Sequence, residues 1–396
     1  MQKKIHVIEI EKFRPTWAEI DLDSLIFNVK LIQRKVGRSR IFPVIKASAY
    51  GHGTVEVCSA LEKFNFDYLC VALLEEAIEL RKAGFRLPLL ILGPLEKYQL
   101  EDAIRFRLTP SAYRMDILEE IEKVASKSKR RISFHVKIDT GMGRLGFLPR
   151  EAESIAAMIK RFRFARLEGV FSNFSSADEP SKSATKDQLK VFLDFLSVIR
   201  RNGIYIRISH LANSAGILNF PESYLDAVRP GLLIYGINPT SSPEKLNVKP
   251  VMSLRSRIVS LKDYEKNSPI GYSARFFTKR KSRIAVLPIG YDDGLVRALS
   301  PGGEVIIHGR KAPIVGSVSM DLITVDVTGI NRVGLGDVAT IIGSDSTETI
   351  TVTELARKVG TIPYEIFCGL GRRIPRIYIQ NHKPISISSF MLLRQA

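Results

Sequence analysis

The chain has 396 residues, 45% hydrophobic and 25% charged, a soluble globular balance that excludes disordered and fibrous classes and is long enough for one large domain and a smaller one. Lys plus Arg outnumber Asp plus Glu by 59 to 41, but the densest basic runs, KSKRR at 127–131 and KRKSR at 279–283, carry no zinc-finger, RRM or basic-zipper pattern and read as solvated faces, with no nucleic-acid partner expected. No stretch approaches the ~20 apolar residues of a membrane span.

At the N-terminus, Glu9 and Glu11 interrupt any signal-type apolar core, so a cytoplasmic protein is expected. From about residue 40 to 230, short β-rich runs alternate with helical periodicity, the pattern of parallel strands joined by crossover helices. The predicted strands are 41–46, 67–73, 88–92, 105–109, 131–138, 166–172, 205–210 and 225–229. Between them, EEAIELRKAG and QLKVFLDFLSVIRRNG read as helices stopped by Gly84 and Gly203. Eight strand-helix units in this length fit a TIM barrel. After about residue 245 the runs become short, Val/Ile-rich and separated by Gly/Pro turns, which reads as antiparallel strands of a second domain. One helix, VTELARKVG, is announced there by a capping signal at Thr353, or at Thr351 with Glu354. The expected fold class is thus α/β, with a TIM barrel at 12–243 followed by a smaller mostly-β domain at 244–385, which residues 1–11 are expected to join. Cys58, Cys70 and Cys368 are scattered without CxxC or disulfide spacing and are expected to be reduced, buried thiols. No metal site is expected.

The first motif with chemical content is VIKASAYGHGT, where Lys46 leaves an apolar strand at the end where barrel active sites are built. Burial disfavours an ammonium, which is what a Schiff-base lysine needs; a snorkelling or paired lysine is the plainer alternative. Ser214 by itself reads equally as an N-cap serine, Arg229 as a rim arginine in a salt bridge, and His210 as a hydrogen-bonded strand end.

VIKASAYGHGT resembles the cofactor-lysine motif of the alanine racemase family. HVKIDTGMGRLGF (135–147), HLANSAG (210–216), VRPGLLIYG (228–236), IGYSARF (270–276), PIGYDDG (288–294), GSVSMD (316–321) and the run from GTIPYE to RRIPR (360–376) match further family motifs in family order. The resemblance implies a racemase that uses pyridoxal 5′-phosphate (PLP), with Lys46 bonded to the cofactor and acting as base on one face of Cα. Tyr272 would be the base on the other face, supplied by the second subunit of a homodimer with shared active sites. Two bases are required because racemisation returns the proton to the face opposite the one that lost it.

The same resemblance implies a phosphate held by Tyr50, Ser214, Gly231, Leu232 and Tyr364, with Asn213 beside them. It sets Arg229 against the pyridine nitrogen, with His210 behind it, and Arg144 against the phenolic oxygen and the substrate. Lys137 occupies a position that is often carbamylated, and Met320, Asp321 and Tyr291 would meet the substrate, although Asp321 also reads as a turn residue. Five positions depart from the family pattern: Asn173 stands for a histidine near the ring, Ser317 and Ser319 for arginine and cysteine, Asp292 for a small residue, and Pro363 for asparagine. Asn173 cannot titrate as an imidazole does. Alanine racemisation feeding cell-wall precursors is the leading expectation. The alternatives are a racemase for serine, lysine or a broad range, or a PLP-binding protein with little catalysis.

Overall fold

The computed structural model describes residues 13–239 and 244–389, and the expectation for residues 1–11 lies outside them. Two compact units separate: one holds Ile26–Ala49 and the chain from Thr54 as far as Lys249, the other the chain up to Leu25, the short piece Tyr50–Gly53 and the chain from Pro250 onward. The first strand, β1 (Thr16–Asp21), falls in the second of these units. It pairs parallel with Arg376–Gln380 and antiparallel with a strand at Met252–Arg257. A domain start at residue 12 therefore precedes a strand that lies with the C-terminal sheet, and the barrel unit begins only at Ile26.

The barrel unit contains the eight expected strands: β2 (Arg40–Ile41), β3 (Leu69–Val71), β4 (Leu89–Ile91), β5 (Ser111–Ala112), β6 (Ile132–Lys137), β7 (Ala165–Phe171), β8 (Ile208–His210) and β9 (Ala227–Val228). The strands β2-β9-β8-β7-β6-β5 form one parallel sheet and β3-β4 a second. Single parallel bridges, Val44 to Cys70 and Leu90 to Thr109, close the ring. The fourth strand differs from expectation. Arg105 ends a helix, Leu100–Arg105, and Arg107 then takes a φ of 54°, so pairing starts only at Thr109. The outer helices stop where expected: Leu74–Lys82 before Gly84 (φ 93°) and Ser183–Arg201 before Gly203 (φ 76°). On the latter, Leu189, Phe192, Phe195, Leu196 and Ile199 form one buried stripe, each contributing about 1.5–3 kcal/mol by burial.

The second unit is mostly β. Its long sheet runs in the order Ser260–Tyr264, Ser282–Leu287, Ile323–Asp326, Arg310–Val315, Glu304–Ile307, Val338–Asp345, Met252–Arg257, β1, Arg376–Gln380, Lys383–Ser388. All neighbours are antiparallel except β1 with Arg376–Gln380. Thr351, not Thr353, caps the helix Val352–Val359: its hydroxyl accepts from the Glu354 N–H at 3.1 Å, and Glu354 accepts in return from the Thr351 N–H at 2.8 Å. Pro363 opens the helix Pro363–Gly369 at its first position, where a missing N–H costs nothing. That helix buries Ile366 and Phe367, which leaves Cys368 exposed, contrary to the expectation of three buried thiols; Cys58 and Cys70 are buried. Among the described residues no helix is long and apolar enough to cross a membrane.

Candidate active site

Beyond Ile41 the first barrel strand continues through the Val44 bridge and the bond from the Ile45 N–H to the Cys70 carbonyl at 2.8 Å. It delivers Lys46, half-buried, to the C-terminal end of the barrel. The chain then takes a left-handed turn: Ala47, Ser48, Ala49 and Tyr50 all have φ of 52–53°. Such a conformation costs roughly 1–2 kcal/mol for each L-residue, so something must hold it. Part of the restraint is Glu76, whose carboxylate accepts from the N–H groups of Ala47 at 2.5 Å, Ala72 at 2.8 Å and Leu73 at 3.1 Å.

At the end of β9, Arg229 is 4% exposed and all its partners are neutral. Its guanidinium donates to the carbonyls of His210 (2.9 Å), Ser172 (2.5 Å) and Leu211 (3.0 Å), to His210 Nδ1 (2.7 Å) and, at 3.4 Å, to Asn173 Oδ1. Burial lowers its pKa to about 10, so it stays charged at neutral pH. The rim-salt-bridge alternative is thereby removed. Asn173 is fixed by donating to the Phe174 carbonyl at 2.8 Å, which turns its oxygen toward Arg229.

Lys137, buried at the end of β6, lies over the Phe171 ring, with Nζ 5.6 Å from its centroid. Burial, and then the charges of Arg144, Arg229 and Lys46, bring its pKa down to about 8. The following loop is built on Asp139, whose carboxylate accepts from four successive N–H groups, Gly141 to Arg144, at 2.8–3.0 Å. Those bonds hold Asp139 ionised against its own burial and present Arg144 at the exposed edge. A Cβ at Gly146 would stand 2.6 Å from the Asp139 nitrogen, so only glycine lets the loop close on itself.

After β8, Asn213 caps the short helix Ser214–Asn219 by accepting from the Gly216 N–H at 3.0 Å. The N-cap is therefore Asn213 and not Ser214. Ser214 is buried, and its hydroxyl oxygen accepts from the N–H groups of Gly231 (2.9 Å) and Leu233 (3.4 Å). Ser214 and the Gly231–Leu232 turn thus meet beyond β8 and β9, where barrels commonly place a phosphate.

The remaining expected residues belong to the second unit. Tyr272 is 74% exposed, at the tip between the paired strands Pro269–Ile270 and Phe276–Phe277. Its neighbour Gly271 packs against Ser317: a Cβ there would be 3.3 Å from the Ser317 nitrogen. Tyr291, Met320 and Asp321 are adjacent, because the N–H of Tyr291 donates to the Ser319 carbonyl at 3.0 Å and that of Asp292 to the Met320 carbonyl at 3.1 Å. Arg373 joins the two loops, donating to Asp292 and, at 2.7 Å, to Asp321. Asp321 is thus an ion-pair partner and more than a turn residue. The rings of Tyr50 and Tyr364 face each other, centroids 5.6 Å apart.

Sequence reading missed Glu76, His135 and Arg373. It also gave Asp139 no role, although an Asp before G-x-G is a signal for a side chain that collects loop N–H groups.

The fold is a closed parallel barrel whose strand ends bring Lys46, Lys137, Arg144 and Arg229 within electrostatic reach of one another, at the end where barrel enzymes build their sites. Residues 20–239 match the alanine racemase N-terminal domain and residues 251–378 the alanine racemase C-terminal domain. Alanine racemase 2 of Caldanaerobacter subterraneus is 40% identical over 384 residues, 96% of this chain and 99% of its own length. The alanine racemase of Methanococcus maripaludis is 41% identical, covering 92% of this chain and 99% of its own. The solved alanine racemase of Clostridium difficile superposes with a TM-score of 0.91 at 37% identity, covering 95% and 99% of the two chains. That of Bacillus anthracis with bound L-Ala-P gives 0.90 at 34% identity, covering 96% and 99%. The chain belongs to the alanine racemase family.

Proposed function

We propose that this enzyme interconverts L- and D-alanine with PLP as cofactor, exchanging the Cα proton between Lys46 and Tyr272. The observation that supports this best is the gathering of Lys46, Arg144 and Arg229 around Lys137 at the strand ends of the barrel, with Arg229 two residues before Gly231, whose N–H donates to the Ser214 hydroxyl. These groups fit the cofactor chemically. Lys46 offers an amine for its aldehyde, and Ser214, Gly231, Leu232 and the tyrosines Tyr50 and Tyr364 offer donors for its phosphate. Arg229, which can only donate, offers a bond to the ring nitrogen without protonating it. When bound, PLP supplies an electron sink for the pair left on Cα.

The protein's part is to place protons and charges. Lys46 Nζ takes or returns the proton on one face; the Tyr272 phenol, contributed by a second copy of the chain, does so on the other. Arg144 and the Met320 N–H hold the substrate carboxylate, and Tyr291 and Asp321 border its approach. Lys137 carries a carbamate, which turns a cation beside Arg144 into an anion and removes the repulsion that adds to burial in lowering its pKa. Asn173 bonds Arg229 through an amide that cannot titrate, so Tyr272 works without an imidazole neighbour at that position. Asp292 favours alanine over a basic amino acid as substrate, because Arg373 already neutralises it.

The enzyme acts in the cytoplasm as a homodimer and supplies D-alanine for peptidoglycan precursors. The test is chiral chromatography of L-alanine incubated with the purified protein and PLP. Accumulation of D-alanine to a racemic mixture is expected. Cofactor uptake with no D-alanine formed would overturn alanine as the substrate.

A further inference from the structure

Behind Arg229 lies a second imidazole, His135, which opens the motif at 135–147 without having been given a role. His135, in the middle of β6, is fully buried, with Nδ1 2.9 Å from His210 Nε2, while His210 Nδ1 is 2.7 Å from an Arg229 nitrogen. The barrel wall is shaped to admit it. The pairing of β6 with β7 shifts register between Phe134 and His135, so that His135 stands opposite Gly169, and a Cβ at Gly169 would lie 2.5 Å from the His135 ring. Any other residue at 169 would displace the imidazole.

Donor chemistry fixes the direction of this chain of bonds. A guanidinium has no acceptor, so His210 Nδ1 must be the acceptor and its proton sits on Nε2. His135 Nδ1 must then accept from His210, and the His135 proton sits on its own Nε2. Stacking of His210 on Phe171, with centroids 5.0 Å apart and planes 6° apart, holds the ring in this orientation. Both imidazoles are kept neutral by burial, His135 being pushed down to about 3. Glu168, Arg207 and Arg229 are the charged groups that bear on His135.

We propose that His135 is a positioning residue for the reaction: by accepting from His210 it fixes the tautomer whose Nδ1 receives Arg229, and so aims the guanidinium without placing a carboxylate beside it. A carboxylate there would cancel the charge; two neutral rings leave it whole. The proposal rests on the reading that Arg229 faces the cofactor ring.

The test begins with 15N NMR of ring-labelled histidine in the cofactor-free protein, which judges the tautomer whether or not the enzyme racemises alanine. The expected wild-type signature is Nε2–H for both His210 and His135; an Nδ1–H signature at His210 overturns the proposal outright. His135→Asn keeps an acceptor near the Nδ1 position and His135→Leu removes it. The Leu variant is expected to shift the His210 Nε2–H resonance, whose acceptor it removes, and to lower kcat by about tenfold with little change in KM, the order found when an orienting partner is removed. The Asn variant should restore both, kcat to within about threefold. Equal losses in Asn and Leu, or an unchanged His210 signature in Leu, would show that His135 only fills space.

Discussion

The two units present their expected functional residues in opposite ways. In the barrel unit, Arg229, His210, Lys137 and Ser214 are buried, and Arg229, His210 and Ser214 are each held by hydrogen bonds to neighbouring strand ends. In the β unit, Tyr272, Tyr291 and Met320 are 74%, 44% and 51% exposed, and their positions come from the backbone of tight loops. The difference teaches where each kind of change should register. A substitution in the barrel half strikes stability and cofactor capture together. One in the exposed half should remove chemistry and leave the fold untouched.

The sharpest way to break this comparison is Lys46→Ala, expected to abolish cofactor attachment and to lower turnover by about 10⁴-fold or to background; retained absorbance of bound cofactor would remove the lysine from its role. Tyr272→Phe should lower turnover by about 10²–10⁴-fold while the melting temperature stays within a degree or so of the parent. Labelled-proton uptake should suffer far more starting from one enantiomer than from the other, and equal losses would count against a one-face base. Mixing Lys46→Ala with Tyr272→Phe subunits should restore roughly a quarter of wild-type activity if sites are shared across a two-fold interface. No recovery after subunit exchange would argue that each chain completes its own site.

Two smaller effects sharpen the buried side. Gly169→Ala places a Cβ against the His135 ring and should cost about 1–3 kcal/mol in denaturant unfolding, without any change to a group that reacts. Acid should also act on the buried half first. His135 is depressed from 6.5 to about 3 and His210 is depressed as well, so between pH 6.5 and 3 the unfolded chain binds protons that the folded chain refuses. Stability is therefore lost as pH falls through that window, and His135→Asn should flatten part of the slope in urea titrations. Lys137 is a depressed base as well, with the same sign, and its neutral amine, the form that takes up CO₂, accumulates as pH rises through about 8. Mass spectrometry of the protein with bicarbonate at high and low pH should find the added mass at the former.

What could be read from the sequence follows the same division. Strands and helices with strong periodicity, such as Ile132–Lys137 and Ser183–Arg201, were legible because one chain segment carries the whole signal. The strand at Ser111–Ala112 was misplaced because the apolar run before it starts inside the helix Leu100–Arg105, which ends before a positive-φ turn at Arg107. β1 was missed because its six residues acquire meaning only from partners at 252–257 and 376–379. The site residues were legible through ordered motifs, whereas Glu76, His135 and Arg373 act through partners far away in the chain.

The left-handed turn that follows Lys46 also sets an order in time. Four successive residues at φ of 52–53° form a stretch that an unfolded chain almost never samples, and the carboxylate that restrains it, Glu76, arrives only when β3 and the helix after it are in place. We expect this segment to be among the last to form, so that its amides stay unprotected from hydrogen exchange until the barrel has closed. The lysine would then be presented only by a finished barrel, and half-folded chains would not sequester a reactive aldehyde.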